Sequence, residues 1–305
     1  MKKTLIALAA IAAVGSASAQ FVVGGKLDVG YSKAGSADAS VKSGVWETSR
    51  LIVKGDTDLG SGLKGSAYLE GGIGGDLSTA SFSGFGRQAF VSVAGSFGKI
   101  DAGSMWSPVD TAVWYADAME YNGFSAMGTG FYNADTGNNA QGNVSGSIQY
   151  TTPDMSGVTV QLIAAPGGGT TAYQNYMGGG VNYAKGPLNI NVAMQTYKTA
   201  ASATPTATVA TVQYNMGAAT LIGGYASNDT GTVKQSGFNV GVKVPMGADY
   251  IAASYSSYDN GGTTGTLTGF GVNYIKAMGK TTVGYLGYKS VNSVNTTGGG
   301  LRYNF

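Results

Sequence analysis

Leu188-Asn189-Ile190-Asn191-Val192-Ala193-Met194-Gln195 puts Leu188, Ile190, Val192 and Met194 on one side of an extended chain. Asn189, Asn191, Ala193 and Gln195 fall on the other. Side chains of a β-strand alternate between its faces, so this stretch predicts a strand with one apolar and one polar side. Outward along the chain the pattern recurs. Phe238, Val240, Val242 and Val244 alternate with Asn239, Gly241 and Lys243, and Val144, Ile148 and Tyr150 with Ser145, Ser147 and Gln149. Such strands either bury their apolar faces in a soluble sandwich or turn them to lipid around a polar lumen. Periodicity alone leaves both open.

Turn spacing separates them. Lys185-Gly186-Pro187 precedes the opening stretch, and Asn215-Met216-Gly217-Ala218 follows it. Further tight turns stand at Asp58–Gly62, Gly95–Lys99, Asp154–Gly157, Pro245–Asp249 and Met278–Lys280. The later ones recur about every 30 residues, room for two strands of ~10 residues, one short turn and one longer loop. Seven short turns, with both termini on the short-turn side, predict 16 strands. Polar Gly/Ser/Thr/Asn segments at 32–47, 71–86, 198–207, 227–236 and 290–298 are expected as the longer loops. Short turns on one side and long loops on the other are the layout of a bacterial transmembrane barrel.

Composition agrees. Gly makes up 51 of 305 residues, far above its usual ~7%, yet with 6 Pro and no three-residue period it is not collagen-like. With 43% hydrophobic residues and a net charge of +2, the chain has too much apolar area to be disordered. The absence of Cys removes disulfides and thiolate metal sites. The absence of His removes His-dependent hydrolases and His-ligated metals, so neither a cofactor nor a metal is expected.

Residues 1–19 read as a secretory leader, with Lys2 and Lys3, an apolar run from Leu5 to Val14, and Ala17-Ser18-Ala19 for cleavage. Its ten apolar residues are too few for a membrane-spanning helix, which needs ~20. Removing it leaves a chain of 20–305 with 16 Lys+Arg against 16 Asp+Glu. That neutrality argues against a nucleic-acid partner. Gly71-Gly72-Ile73-Gly74-Gly75 lacks the Lys-Ser/Thr of a phosphate loop and is expected as a mobile loop.

One interval breaks the rhythm. From the turn at Phe97 to that at Met155 lie 58 residues, and the surplus, 105–142, holds Trp106, Trp114, Tyr115, Tyr121, Phe124, Phe131 and Tyr132. Exposing seven aromatics to water is costly, so this loop is expected to pack inside the barrel, or else to form an external lid.

Here the chain resembles a known family. Ser49-Arg50-Leu51-Ile52-Val53-Lys54-Gly55 running into Asp58-Leu59-Gly60-Ser61-Gly62-Leu63-Lys64 is similar to the first hairpin of Gram-negative general porins of the β-proteobacterial type. Arg87-Gln88-Ala89-Phe90-Val91-Ser92-Val93 with Gly95-Ser96-Phe97-Gly98, Tyr150-Thr151-Thr152-Pro153, and the ending Leu301-Arg302-Tyr303-Asn304-Phe305 are similar too. The resemblance implies an all-β, 16-stranded trimeric barrel in the outer membrane whose third extracellular loop, here 105–142, narrows the channel. It implies passage of small hydrophilic solutes and ions, contact with outer-membrane lipid and lipopolysaccharide, and assembly through Tyr303 and Phe305 by the barrel assembly machinery. Trimer contacts are expected at the small outward positions Gly25 and Gly65.

Strand parity then sorts the charges. With apolar neighbours outward, Lys26, Asp28, Arg50, Lys54, Lys64, Glu70, Lys99, Asp101, Lys243 and Arg302 point into the lumen. Arg87 shares parity with Val91 and Val93, and is placed inward only by the family resemblance. The wall is therefore mainly basic, whereas loop 105–142 carries Asp110, Asp117, Glu120 and Asp135 and no base. Basic wall and acidic loop facing one another make a transverse field. The expected constriction set is Lys26, Asp28, Arg50, Lys54, Arg87, Asp110, Asp117 and Glu120, with Arg50 and Arg87 opposing Asp117 and Glu120. The family often has a further Arg where this chain reads Ala102-Gly103-Ser104-Met105, which leaves the sign of selectivity open. A solute-specific channel, an adhesin or another binding barrel, and a secreted sandwich are the rival readings.

Overall fold

The computed structural model describes residues 20–74, 81–82, 84–127, 142–167, 173–199, 204–262 and 265–305. Residues 1–19, expected as a leader, and loop residues Phe131, Tyr132 and Asp135 lie outside them. The wall strands of the first half are β1 (Gln20–Ala34), β3 (Arg50–Gly60), β4 (Leu63–Gly74), β6 (Gln88–Gly95), β7 (Gly98–Trp106), β8 (Asn143–Thr151), β9 (Val158–Ala165) and β10 (Tyr173–Lys185). Those of the second half are β11 (Leu188–Thr199), β12 (Thr206–Asn215), β13 (Thr220–Asp229), β14 (Lys234–Met246), β15 (Asp249–Asp259), β16 (Thr266–Ala277), β17 (Thr282–Val291) and β18 (Val294–Asn304). Two short strands, β2 (Ser40–Ser43) and β5 (Ser81–Phe82), sit within long-side connections. Each wall strand pairs antiparallel with its sequence neighbours, and β1 closes the ring on β18 from Lys26↔Asn304 to Ala34↔Thr296. The result is a 16-stranded barrel.

The seven short connections fall at the expected turns. Gly186, Gly217 and Gly247 adopt φ of 59°, 84° and 67°, a left-handed backbone that side chains disfavour. Asp58 and Asn215 fold back to accept their turn amides, Gly60 N and Gly217 N, both at 2.8 Å. Local chemistry thus fixes the hairpin register.

The faces decide between the two all-β alternatives. Met194 is 56% exposed and Val192 47%, while their neighbours Ala193 and Gln195 are 3% and 2% exposed. Leu286, Leu301, Val240 and Phe238 likewise stand outward, and Asn191, Asn239 and Asn273 are buried within. This is the reverse of a soluble protein, and an apolar band of this extent requires lipid around it.

Several loops are shorter than expected. Gly71–Gly74 is not a mobile loop but the end of β4, with Leu51↔Gly71 and Arg50↔Gly72 paired across to β3. Segment 290–298 is mostly strand: Asn292 and Ser293, at φ 50° and 64°, form a two-residue turn between β17 and β18. Val144 breaks its predicted parity and is 1% exposed, whereas Ile148 is outward at 59%. The register slips between Gly103 and Met105, opposite Gly146 at φ 64°, and such a bulge re-aims every residue beyond it. Gly25 and Gly65 do not present open flat surface. A side chain at Gly25 would meet the Phe305 ring at 2.9 Å, and one at Gly65 the Leu59 methyls at 3.3 Å.

Candidate functional site

The long β7–β8 connection enters the barrel. Its helix α1 (Pro108–Tyr115) starts at Ser107, whose Oγ accepts Asp110 N at 2.9 Å, with Pro108 at the first turn. Val109, Ala112, Val113 and Ala116 bury against Ala193, Ala207, Val209 and Ala226 of the wall. Beyond the helix, Ala118, Met119 and Phe124 join Val45, Trp46, Ile222, Ala252 and Tyr285. Wall side chains hold the loop backbone directly: Gln213 Nε2 donates to Tyr115 O at 2.8 Å and Asn239 Nδ2 to Ala116 O at 2.6 Å. Ser256 Oγ donates to Ala126 O at 2.5 Å, and Gly123 N to Trp46 O at 2.8 Å. The described part of the loop therefore folds into the barrel rather than over it as a lid.

Facing it across the lumen is a charge cluster built on β1, β3, β4 and β18. Glu47, from the connection before β3, is its hub: Oε1 accepts Lys26 Nζ at 2.7 Å and an Arg50 terminal nitrogen at 2.9 Å, and Oε2 accepts Arg302. Burial pushes the Glu47 carboxyl up, but attraction to Lys26, Arg50 and Arg302 outweighs it and holds the group below the usual glutamate range. Glu70 is the second hub, accepting Arg87 Nε at 2.5 Å, Arg50 at 3.4 Å and the Tyr68 hydroxyl at 2.7 Å. Arg302 also lies 4.1 Å above the Trp46 ring, and Arg87 5.2 Å from the Trp106 ring centre. Among the described residues, four cations here share two carboxylates, so this wall keeps a positive excess.

The expected site residues separate into three groups. Arg50, Arg87, Asp110 and Glu120 border one cavity of about 670 Å³, the first two on the wall and the last two on the loop. Arg87 immediately precedes β6, where wall pairing begins at Glu70↔Gln88, so strand parity does not bind it and its side chain turns inward. Lys26 joins them through Glu47, and Lys54 sits lower on the same face, opposite Tyr68. Asp28 and Asp117 are different. Asp28, 0% exposed, accepts Trp46 N at 3.1 Å and the Tyr285 hydroxyl at 3.0 Å. Asp117, 1% exposed, accepts Met119 N at 3.1 Å and Tyr121 N at 3.0 Å, and burial pushes its carboxyl up. Asp28 braces the connection before β3 and Asp117 the inserted loop, and neither faces the lumen.

Two participants are not evident from sequence. Glu47 falls in a polar loop segment there, although its place between Trp46 and the Thr48-Ser49-Arg50 strand entry is a signal. Lys243 points inward by parity, but parity names no partner; it donates to Glu120 Oε1 at 2.6 Å and lies 4.2 Å over Tyr250. Glu120→Gln is therefore expected to free Lys243 and shift permeability severalfold toward anions. Asp117→Asn is expected to leave selectivity nearly unchanged while weakening the loop by about 1–3 kcal/mol, because it disturbs one of two backbone hydrogen bonds. Reversal potentials in a salt gradient check this, and equal shifts in both variants would return Asp117 to the lumen.

Residues 4–296 match the family described as Gram-negative porin. The chain belongs to that family. This porin is 31% identical to outer membrane porin protein 32 of Delftia acidovorans, over 93% of this chain and 88% of that one. Among solved structures, it is similar to an anion-selective porin from Comamonas acidovorans at a TM-score of 0.79 and 23% identity, covering 94% of this chain and all of the other. Salmonella typhi OmpF in complex with daunomycin matches at 0.75 with 14% identity, over 93% and 97% of the two chains. The porin resides in the Gram-negative outer membrane and forms a channel for small hydrophilic solutes and ions.

Proposed function

We propose that this porin is a non-catalytic general diffusion channel with a mild preference for anions. Segregated charge at the constriction carries the reading: Lys26, Arg50, Arg87 and Arg302 stand on the wall, and Asp110 and Glu120 on the loop. Lys243 offsets Glu120, which leaves the described constriction net positive. A field across a narrow gap orients water and polar solutes, disfavours apolar ones and weights ions by sign. The Comamonas acidovorans porin of similar fold is described as anion-selective, in keeping with this sign.

The assembly is proposed to be a homotrimer in contact with lipopolysaccharide, delivered by the barrel assembly machinery through the C-terminal strand. Phe305 exchanges backbone hydrogen bonds with Gly25 at 3.0 and 3.1 Å, and both Phe305 and Tyr303 are outward, where such a signal is readable. Planar-bilayer reconstitution in a salt gradient tests assembly and selectivity together. The expected result is conductance in groups of three equal steps with a reversal potential of anion sign. Single steps, with monomers alone after crosslinking in mild detergent, would remove the trimer; a cation-sign potential would remove the preference.

A further inference from the structure

The lumen side of helix α1 is built against expectation. Val109, Ala112, Val113 and Ala116 are 0–1% exposed on the wall side, as packing requires. The lumen side carries Asp110 and Thr111 and then, one turn on, Trp114 and Tyr115, with Trp114 42% exposed. A helix face turned to an aqueous lumen ordinarily carries charged or small polar residues, since leaving a large ring in water forfeits its burial free energy. Trp114 and Tyr115 pack edge to face at 5.2 Å between ring centres, and both border the cavity. Trp106 and Tyr121 border the same cavity, so the loop offers a set of ring surfaces.

The opposite rim supplies the complementary group. Arg87 spends Nε on Glu70 and its flat face on Trp106, and among the described residues no partner is recorded for its terminal nitrogens. Arg50 stands next to it on the same cavity. A guanidinium edge pairs with a carboxylate, and a nearby ring stacks on a planar apolar body. Sugars would ask for carboxylate acceptors at this rim, but Glu47 and Glu70 are already committed to Lys26, Arg50, Arg87 and Arg302.

We propose that the constriction holds a retention site for small aromatic carboxylates, with the ring on Trp114 and the carboxylate on Arg87. The proposal rests on the reading of this cavity as the constriction of an open channel. Such solutes would cross faster at low concentration than their size alone allows, because weak binding raises their occupancy at the narrowest point.

The test uses the mature full-length porin in planar bilayers bathed in potassium chloride, with potassium benzoate or potassium acetate added at equal concentration. Benzoate is expected to reduce the chloride current saturably, and acetate only in proportion to its lower mobility. Each variant is compared with its own benzoate-free current. Trp114→Ala is expected to raise the half-blocking benzoate concentration about tenfold, the worth of one aromatic contact, and Trp114→Phe to keep it near the parent value. Arg87→Gln is expected to raise it too, while leaving block by uncharged benzyl alcohol unaltered. Equal action of benzoate and acetate, an unchanged block in Trp114→Ala, or block by glucose but not benzoate would each overturn the site while the channel stood. A protein that inserts but carries no chloride current would overturn the channel reading itself.

Discussion

Replacing Arg50 and Arg87 together by alanine is expected to move the reversal potential toward cations by about fivefold in relative permeability. Both guanidiniums border the cavity, and at about 4 Å one charge acts on another with about 1 kcal/mol even at the dielectric constant of water. The two side chains share Glu70, so the double variant also leaves that carboxylate with only Tyr68 and Gln88 as recorded partners. Its charge then adds to the shift in the same direction. The strands are held by their ladders, and lumen substitutions tune selectivity without unfolding a barrel. An unchanged reversal potential in channels that still assemble would remove the basic wall as the selectivity element.

The second large effect concerns what keeps the constriction narrow. Phe124, 1% exposed, is a large buried anchor of the inserted loop, 6.2 Å from the Tyr285 ring. It reaches the wall only because residue 287 has no side chain: a Cβ there would come within 2.3 Å of the Phe124 ring. Phe124→Ala should cost the docked loop about 3–5 kcal/mol, the usual loss for a buried phenylalanine. Gly287→Leu should expel the same ring from the other side. Both variants are expected to give larger and noisier single-channel currents with unaltered far-ultraviolet circular dichroism, since no wall pairing depends on Phe124. Parent-sized, quiet currents in both would mean that the hydrogen bonds from Gln213, Asn239 and Ser256 suffice to hold the loop.

These outcomes rest on features that differ in how plainly the sequence displays them. The seven short turns are legible because a tight hairpin needs Gly at positive φ or an Asn or Asp that folds back, and few residues do either. Strand faces are legible wherever lipid enforces alternation, as in Leu188–Gln195. Beyond the lipid band both faces of a strand are wet, the constraint lapses, and Asn292–Thr297 reads as loop although most of it is paired. The Gly146 bulge is invisible for another reason, since one inserted residue reverses parity without altering composition. Inward charges emerge from parity, but parity gives a direction and not a depth. It does not separate Arg50, at the lumen, from Asp28 on the neighbouring strand, sealed beneath Trp46 and Tyr285. Glu47 escapes it altogether, because it lies between strands, where parity has nothing to say.

The junction of β1 with β18 bears on how long the molecule lasts. Nine residue pairs there, Lys26↔Asn304 to Ala34↔Thr296, make the first and last strands ordinary neighbours. A sheet with free margins can be dismantled from them, one strand peeling at a time, each step exposing little. A ring offers no margin, so the first opening must pull apart a fully bonded pair of strands at once and uncover both edges before anything is regained. Persistence is then governed by the height of that initial barrier and hence by a rate, whatever the equilibrium favours.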